Sequence, residues 1–128
     1  MRLLLDTHIF LWLNDAPEKC SASILQLCEN SENHLFISYV SLWEMQIKQQ
    51  LGKLELSMSL PELVKNSQLD HALLLLPIKI QHIYTLSSLP RFHQDPFDRL
   101  LIAQAMQESM TLVSVDKNIR AYPVDVVW

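Results

Sequence analysis

The sequence predicts an α/β fold: one domain over residues 1–128, with a parallel sheet of about four or five strands flanked by helices. Three observations predict it. The strand candidates are short and apolar throughout, as strands buried on both faces are. They alternate along the chain with segments of helical spacing. No repeat, low-complexity stretch or linker divides the 128 residues, a length that suits one core and buries about two-thirds of the unfolded surface.

Arg2–Leu5 is an apolar run ending at Asp6, and it predicts a buried strand. Thr7 to Leu13 predicts a helix start with Trp12 and Leu13 on its apolar side, and Asn14 to Pro17 a turn. Ser21 to Asn30 has helical spacing, with Ile24, Leu27 and Cys28 on one face. Leu35–Ile37 predicts a second strand. Ser41 opens a helix to about Leu51, and Gly52 closes it as a C-terminal cap. Ser59-Leu60-Pro61-Glu62 starts another helix, with Pro early and Glu placed for a capping box. His71–Leu76 predicts a strand and Ile80–Leu89 a short helix. Asp95-Pro96 begins the best-defined helix, through Met110. Its apolar residues Leu100, Leu101, Ala103 and Ala105 run almost all round, which predicts deep burial. Thr111–Val115 follows as a strand, Asp116–Ala121 as a helical turn or two, and Val124–Val127 as the last strand.

Composition excludes several function classes. Hydrophobic residues make up 49% and charged residues 19%, as in an ordinary globular protein, and the net charge of −4 leaves no basic stripe. Any nucleic-acid substrate must then be drawn by a few placed cations or a bound metal. A single glycine, Gly52, removes glycine-rich phosphate loops and dinucleotide fingerprints. Cys20 and Cys28 form no C-x-x-C pair. Read as lying on one helix, they would be about 12 Å apart, too far for a disulfide. Two free thiols in a reducing cytoplasm are expected. The apolar opening is interrupted by Asp6 and His8 and lacks a small-residue cleavage site, so no secretory signal is expected. No apolar run is long enough for a membrane span.

The informative residues are acids. Asp6 falls just past the first strand, and Asp116 just past the strand Thr111–Val115. Open α/β sheets bind ligands beyond the carboxyl ends of their strands, where strand order reverses. Asp95 and Asp98 open the buried helix, and Glu44 lies one turn into the third helix. Four or five carboxylates in one cleft repel one another unless a cation neutralises them. Oxygen-only donors select hard ions, Mg²⁺ or Mn²⁺, which suit phosphodiester hydrolysis. Each acid also has a plain structural reading. Asp6 and Asp116 suit helix caps, Ser41-Leu42-Trp43-Glu44 suits a capping box, and Asp95-Pro96-Phe97-Asp98 suits a cap favoured by the helix dipole. Spacing alone leaves both readings open.

Four pieces together resemble the PIN-domain family, specifically its VapC-like toxins of bacterial toxin–antitoxin pairs. They are Leu3-Leu4-Leu5-Asp6-Thr7-His8, Ser38-Tyr39-Val40-Ser41-Leu42-Trp43-Glu44, the run from Asp95-Pro96-Phe97-Asp98-Arg99 to Ala105, and Thr111-Leu112-Val113-Ser114-Val115-Asp116. They occur in the family's order across nearly the whole chain. The resemblance implies a parallel sheet with flanking helices, Mg²⁺ or Mn²⁺, and hydrolysis of RNA. It implies a catalytic set of Asp6, Glu44, Asp98 and Asp116. Asp6, Asp98 and Asp116 would hold the metal, with Asp95 a near neighbour that replaces or assists Asp98. Glu44 would complete the site or orient the attacking water. Thr7 and Ser114 fit the family's small hydroxyl positions, as holders of a water or as caps. Family habit further implies an RNA substrate, a small cognate antitoxin, a homodimer and a cytoplasmic location.

Arg99 and His93 are further candidates. Arg99 suits contact with a substrate phosphate or an ion pair that limits repulsion among the acids. His93 is expected as a loop or supporting residue rather than a catalyst; His8, on the first helix turn after Asp6, is expected to be packed, with approach to the site the other reading. Trp12, Trp43 and Trp128 are expected in core or interface packing, with stacking on bases the other reading. Lys48, Lys53, Lys65, Lys79 and Lys117 read as solvated surface, with some of them along an RNA path the other reading. Ser38 and Ser41 lack an evident histidine partner for a hydrolase triad. The competing function is a non-catalytic RNA- or protein-binding module on the same fold. A receiver domain would need paired acids after the first strand, and a haloacid-dehalogenase phosphatase D-x-D there. Asp6-Thr7-His8 supplies one acid.

Overall fold

The computed structural model describes residues 1–128. Five strands, β1 (Arg2–Leu5), β2 (His34–Ser38), β3 (Leu74–Leu76), β4 (Thr111–Val113) and β5 (Val126–Val127), form one sheet in the order β3-β2-β1-β4-β5. Every pairing is parallel. Six α-helices flank it: α1 (Thr7–Asp15), α2 (Ala22–Glu29), α3 (Tyr39–Gln50), α4 (Leu60–His71), α5 (Ile80–Thr85) and α6 (Pro96–Gln107).

Successive strand residues point to opposite faces, so β1 feeds two cores. Leu3 and Leu5 pack with Ile9, Phe10, Ile24, Ile37 and Met45, under α1 to α4. Leu4 packs on the other face with Leu101, Ile102, Ala105 and Leu112, under α6. Being buried on both faces is what made these strands apolar throughout. No helix is long and apolar enough to cross a membrane.

The strand order fixes where a site forms. From β1 the chain moves outward through β2 and β3, then returns across β1 to β4. The carboxyl ends of β1 and β4 therefore flank the point where the order reverses. A hydrogen bond from the Asp6 amide to the Val113 carbonyl, 3.0 Å, ties the two ends together.

Several boundaries differ from the sequence reading. α3 begins at Tyr39, because Ser38 is its cap and accepts the Val40 amide. The expected capping box at Ser41–Glu44 is thus not formed. α4 continues through His71, and Ala72 reverses the chain in the left-handed region (φ 51°), which shortens the expected strand to Leu74–Leu76. α6 stops at Gln107, three residues early, where Ser109 takes φ 54°. β4 ends at Val113 and β5 spans two residues. Cys20 precedes the α2 cap Ser21, so the cysteines do not share a helix, and both are free and buried.

Candidate active site

The cleft at the reversal point has a volume of about 370 Å³. Its carboxylates are Asp6, Glu44, Asp95, Asp98 and Asp116, and Thr7, His8, Trp12, Lys48 and Val115 complete the lining. The five acids come from four places in the chain and meet only through the fold.

Asp6 is placed by the end of β1. It caps α1, its Oδ1 accepting the Ile9 amide at 2.8 Å, so the cap reading and the cleft reading hold at once. Its exposure is only 6%. Burial raises its pKa, against a lowering hydrogen bond from Ser114. Ser114 is fully buried past β4, and its Oγ also accepts the Asp116 amide at 3.1 Å. Glu44, also 6% exposed, sits on the second turn of α3. Thr7 Oγ1 donates to its Oε1 at 2.7 Å, and Lys48 Nζ meets its Oε2 at 2.7 Å. Both oxygens are thereby oriented.

Asp95 and Asp98 divide the work at the start of α6. Asp95 is the cap, its Oδ1 accepting the amides of Phe97 at 2.9 Å and Asp98 at 3.4 Å. Asp98 lies one turn in. Burial, then the neighbouring Asp95 charge, pushes its pKa up to about 7. Asp116 moves the other way. Burial works to raise its pKa, but the Asn118 amide and His93 together outweigh it and leave it lowered.

His93 sits among these acids. Its Nε2 lies 3.0 Å from Asp98 Oδ2 and 3.0 Å from Asp116 Oδ2. Its Nδ1 accepts the Asp95 amide at 3.2 Å, so the neutral ring carries its proton on Nε2, aimed between the two carboxylates. One donor atom from each of His93, Asp98 and Asp116 falls within 4.8 Å of the others. With Asp6 beside them in the cleft, and the pKa values of Asp6 and Asp98 both raised, these crowded hard carboxylate oxygens form a donor set that fits a hard divalent cation.

Arg99 faces away from the acids. Its guanidinium donates to Pro90 O at 2.8 Å, to Leu86 O at 3.3 Å and to Tyr122 Oη at 3.3 Å, and it meets no carboxylate. Three further residues bear on readings the sequence left open. Lys48 is part of the cleft and not merely surface; its i,i+4 spacing from Glu44 was the available signal. His8 is exposed at the cleft and tilts against Trp12, with centroids 6.1 Å apart. Trp43 is 56% exposed and meets Phe97 edge-on at 5.1 Å, outside any core.

A five-stranded parallel sheet of this order, with carboxylates gathered at its reversal point, defines the class. The pattern of the PIN domain family matches residues 3–125, and the chain belongs to that family. It is 27% identical to Ribonuclease VapC22 of Mycobacterium tuberculosis over 121 residues, covering 94% of this chain and 91% of that protein. Among solved structures, the fold is similar to VapBC2 from Rickettsia felis, crystallised with a DNA fragment from its promoter. The TM-score is 0.74 at 18% identity, over 99% of this chain and 98% of that one. DNA-bound VapBC from Salmonella typhimurium superposes with a TM-score of 0.68 at 13% identity, over 99% and 97% of the two chains.

Proposed function

We propose that this chain is a metal-dependent endoribonuclease, the toxin of a two-component toxin–antitoxin module. One observation carries the reading: Asp6, Glu44, Asp98 and Asp116, from four segments, line a single cleft. Kinship with a named ribonuclease supports RNA as the substrate, and the solved VapBC assemblies support a small cognate antitoxin as partner. A homodimer is part of the same proposal.

Asp6, Asp98 and Asp116 would hold Mg²⁺ or Mn²⁺. A divalent cation bound there supplies Lewis acidity at the scissile phosphate and an activated water. The chain's own residues do the rest. Thr7 and Lys48 pin Glu44, which orients the attacking water. Ser114 holds Asp6 and the Asp116 backbone in register. Asp95, its Oδ1 accepting the α6 cap bonds, would serve as a support, and Asp98 would be the inner ligand. His93 positions Asp98 and Asp116.

Cleavage of a mixed RNA pool by antitoxin-free protein tests this. Discrete fragments are expected with Mg²⁺ or Mn²⁺, lost with EDTA and with Asp6→Asn. Asparagine keeps the helix cap, so folding is retained while activity is lost. Absence of cleavage by folded protein on every RNA tried would favour a binding module instead.

A further inference from the structure

A second cavity lies on the far side of His93. It has a volume of about 310 Å³ and is lined by Arg91, His93, Gln94 and Arg99, with no apolar residue. The carboxylate pairs of the chain are made by Lys48, Lys79, His82 and His93, so both guanidiniums here lack a carboxylate within 4.0 Å. Arg99 is nonetheless held still. Its three acceptors are neutral carbonyl and hydroxyl oxygens, which fix the fork without cancelling its charge. Tyr122 Oη, one of them, also accepts the His93 amide at 2.8 Å, and the Tyr122 ring meets Phe92 at 5.3 Å. The loop bearing Arg91, His93 and Gln94 is thereby bolted to α6. Uncompensated positive charge in a fixed polar cavity suits an anion, and a guanidinium fork with an amide beside it suits phosphate oxygens.

We propose that the Arg91–Gln94–Arg99 cavity binds a backbone phosphate of the RNA next to the one being cut. The proposal rests on the nuclease reading for its occupant. His93 forms a wall of this cavity while its Nε2 touches Asp98 and Asp116, so the cavity and the acidic cleft are contiguous. A strand with one phosphate at the acids passes directly to the cavity. This answers a difficulty the composition poses: a chain of net charge −4 with an acidic cleft repels RNA. Phosphate contacts hold register without reading sequence, so the cavity sets how the strand lies across the acids.

The test measures binding of a labelled mixed-sequence RNA oligonucleotide by the inactive Asp6→Asn protein across a salt series, alongside cleavage by the active chain. Arg91 is exposed and makes no hydrogen bond, so Arg91→Ala folds. It is expected to weaken binding about tenfold, the loss of one charged hydrogen bond. The slope of log affinity against log salt should fall by about 0.7, one single-strand phosphate contact. Gln94→Glu, which puts a carboxylate in the cavity, should weaken binding further. Lys65→Ala removes the same charge from the exposed face of α4 and should do neither. If the active chain cuts RNA and Arg91→Ala binds with unchanged affinity and slope, or loses no more than Lys65→Ala, the cavity proposal is overturned and the nuclease reading stands. Arg91-dependent binding without cleavage sinks the nuclease reading and, with it, the placement of this phosphate beside a cut one, leaving an RNA-binding surface at Arg91. No binding by any form overturns the cavity proposal, and no cleavage beside it overturns both.

Discussion

Asp98 is the side chain on which the site's electrostatics concentrate. Burial, then Asp95, raises its pKa from 3.8 to about 7, despite the opposing His93 contact. The sign of the linkage follows. Between those two values the folded chain keeps a proton that the unfolded chain has released, so stability falls as pH rises through the window and stays low above it. Asparagine in place of Asp98 removes the conflict. In EDTA at pH 8, Asp98→Asn should melt at least about 4 °C above the native chain, the shift 1 kcal/mol makes in a domain of this size. At pH 5 the gap should be smaller, and it should close only towards pH 4, where the unfolded carboxyl also takes up its proton. Circular dichroism melts at both values check this, and a variant no more stable than the native chain at pH 8 would show that the carboxylates are not in conflict. The positions of the acids were legible in the sequence, because strand ends and helix starts are marked locally. Their partners were not. Lys48 showed its spacing from Glu44 but not that the pair faces a cleft, and His93 reaches Asp116 only across 23 residues of chain.

α6 shows the same division at the scale of elements. Its start was legible, since Asp95-Pro96 supplies both the cap and the residue that suits the first helical position. Its end was not, because the left-handed residue beyond it is Ser109 and not glycine. Ala72 hid the end of α4 in the same way. The start of α3 went to the wrong serine because both Ser38 and Ser41 precede a plausible helix, and only the end of β2 decides between them. α6 is also joined to its neighbours by a buried polar chain that no periodicity reveals. Gln104, fully buried, accepts from Ser38 Oγ through its Oε1. Its Nε2 approaches Pro77 O and His82 Nδ1 at 3.3 Å each. His82 Nε2 lies 2.9 Å from Glu108. Because Ser38 caps the helix that carries Glu44, this chain steadies the site from below. Gln104→Leu leaves the fully buried Ser38 hydroxyl without its acceptor and removes the polar link to His82. It should cost about 2–4 kcal/mol, read from urea unfolding. A loss under about 0.5 kcal/mol would mean that the network is not holding the helices together.

At the scale of the whole molecule, the parallel sheet with helices on both faces was legible, because apolar strands alternating with helices admit few other arrangements. The strand order was not, and the order is what turns scattered acids into one cleft. Asp6 and Asp116 are 110 positions apart, yet the pairing of β1 with β4 places their strand ends side by side. Folding therefore drives like charges together, and a cation that binds only the folded chain should return stability to it. At a free concentration a hundred times its dissociation constant, that return is about 2.7 kcal/mol, or a rise of roughly 10 °C in melting temperature at pH 8. The pH dependence separates site binding from loose screening. An ion held by Asp98 would have to displace its proton below about pH 7, so the Mg²⁺ midpoint should climb as pH falls from 8 to 6. Asp98→Asn has no such proton, so its midpoint, though weaker, should stay nearly level over the same range. Titration calorimetry with Mg²⁺ in buffers of differing ionisation enthalpy measures the released protons directly. Proton release at pH 6 that disappears in Asp98→Asn would tie metal affinity to that carboxyl. Equal release from both proteins would place the ion elsewhere on the acidic surface, away from the ends of β1 and β4.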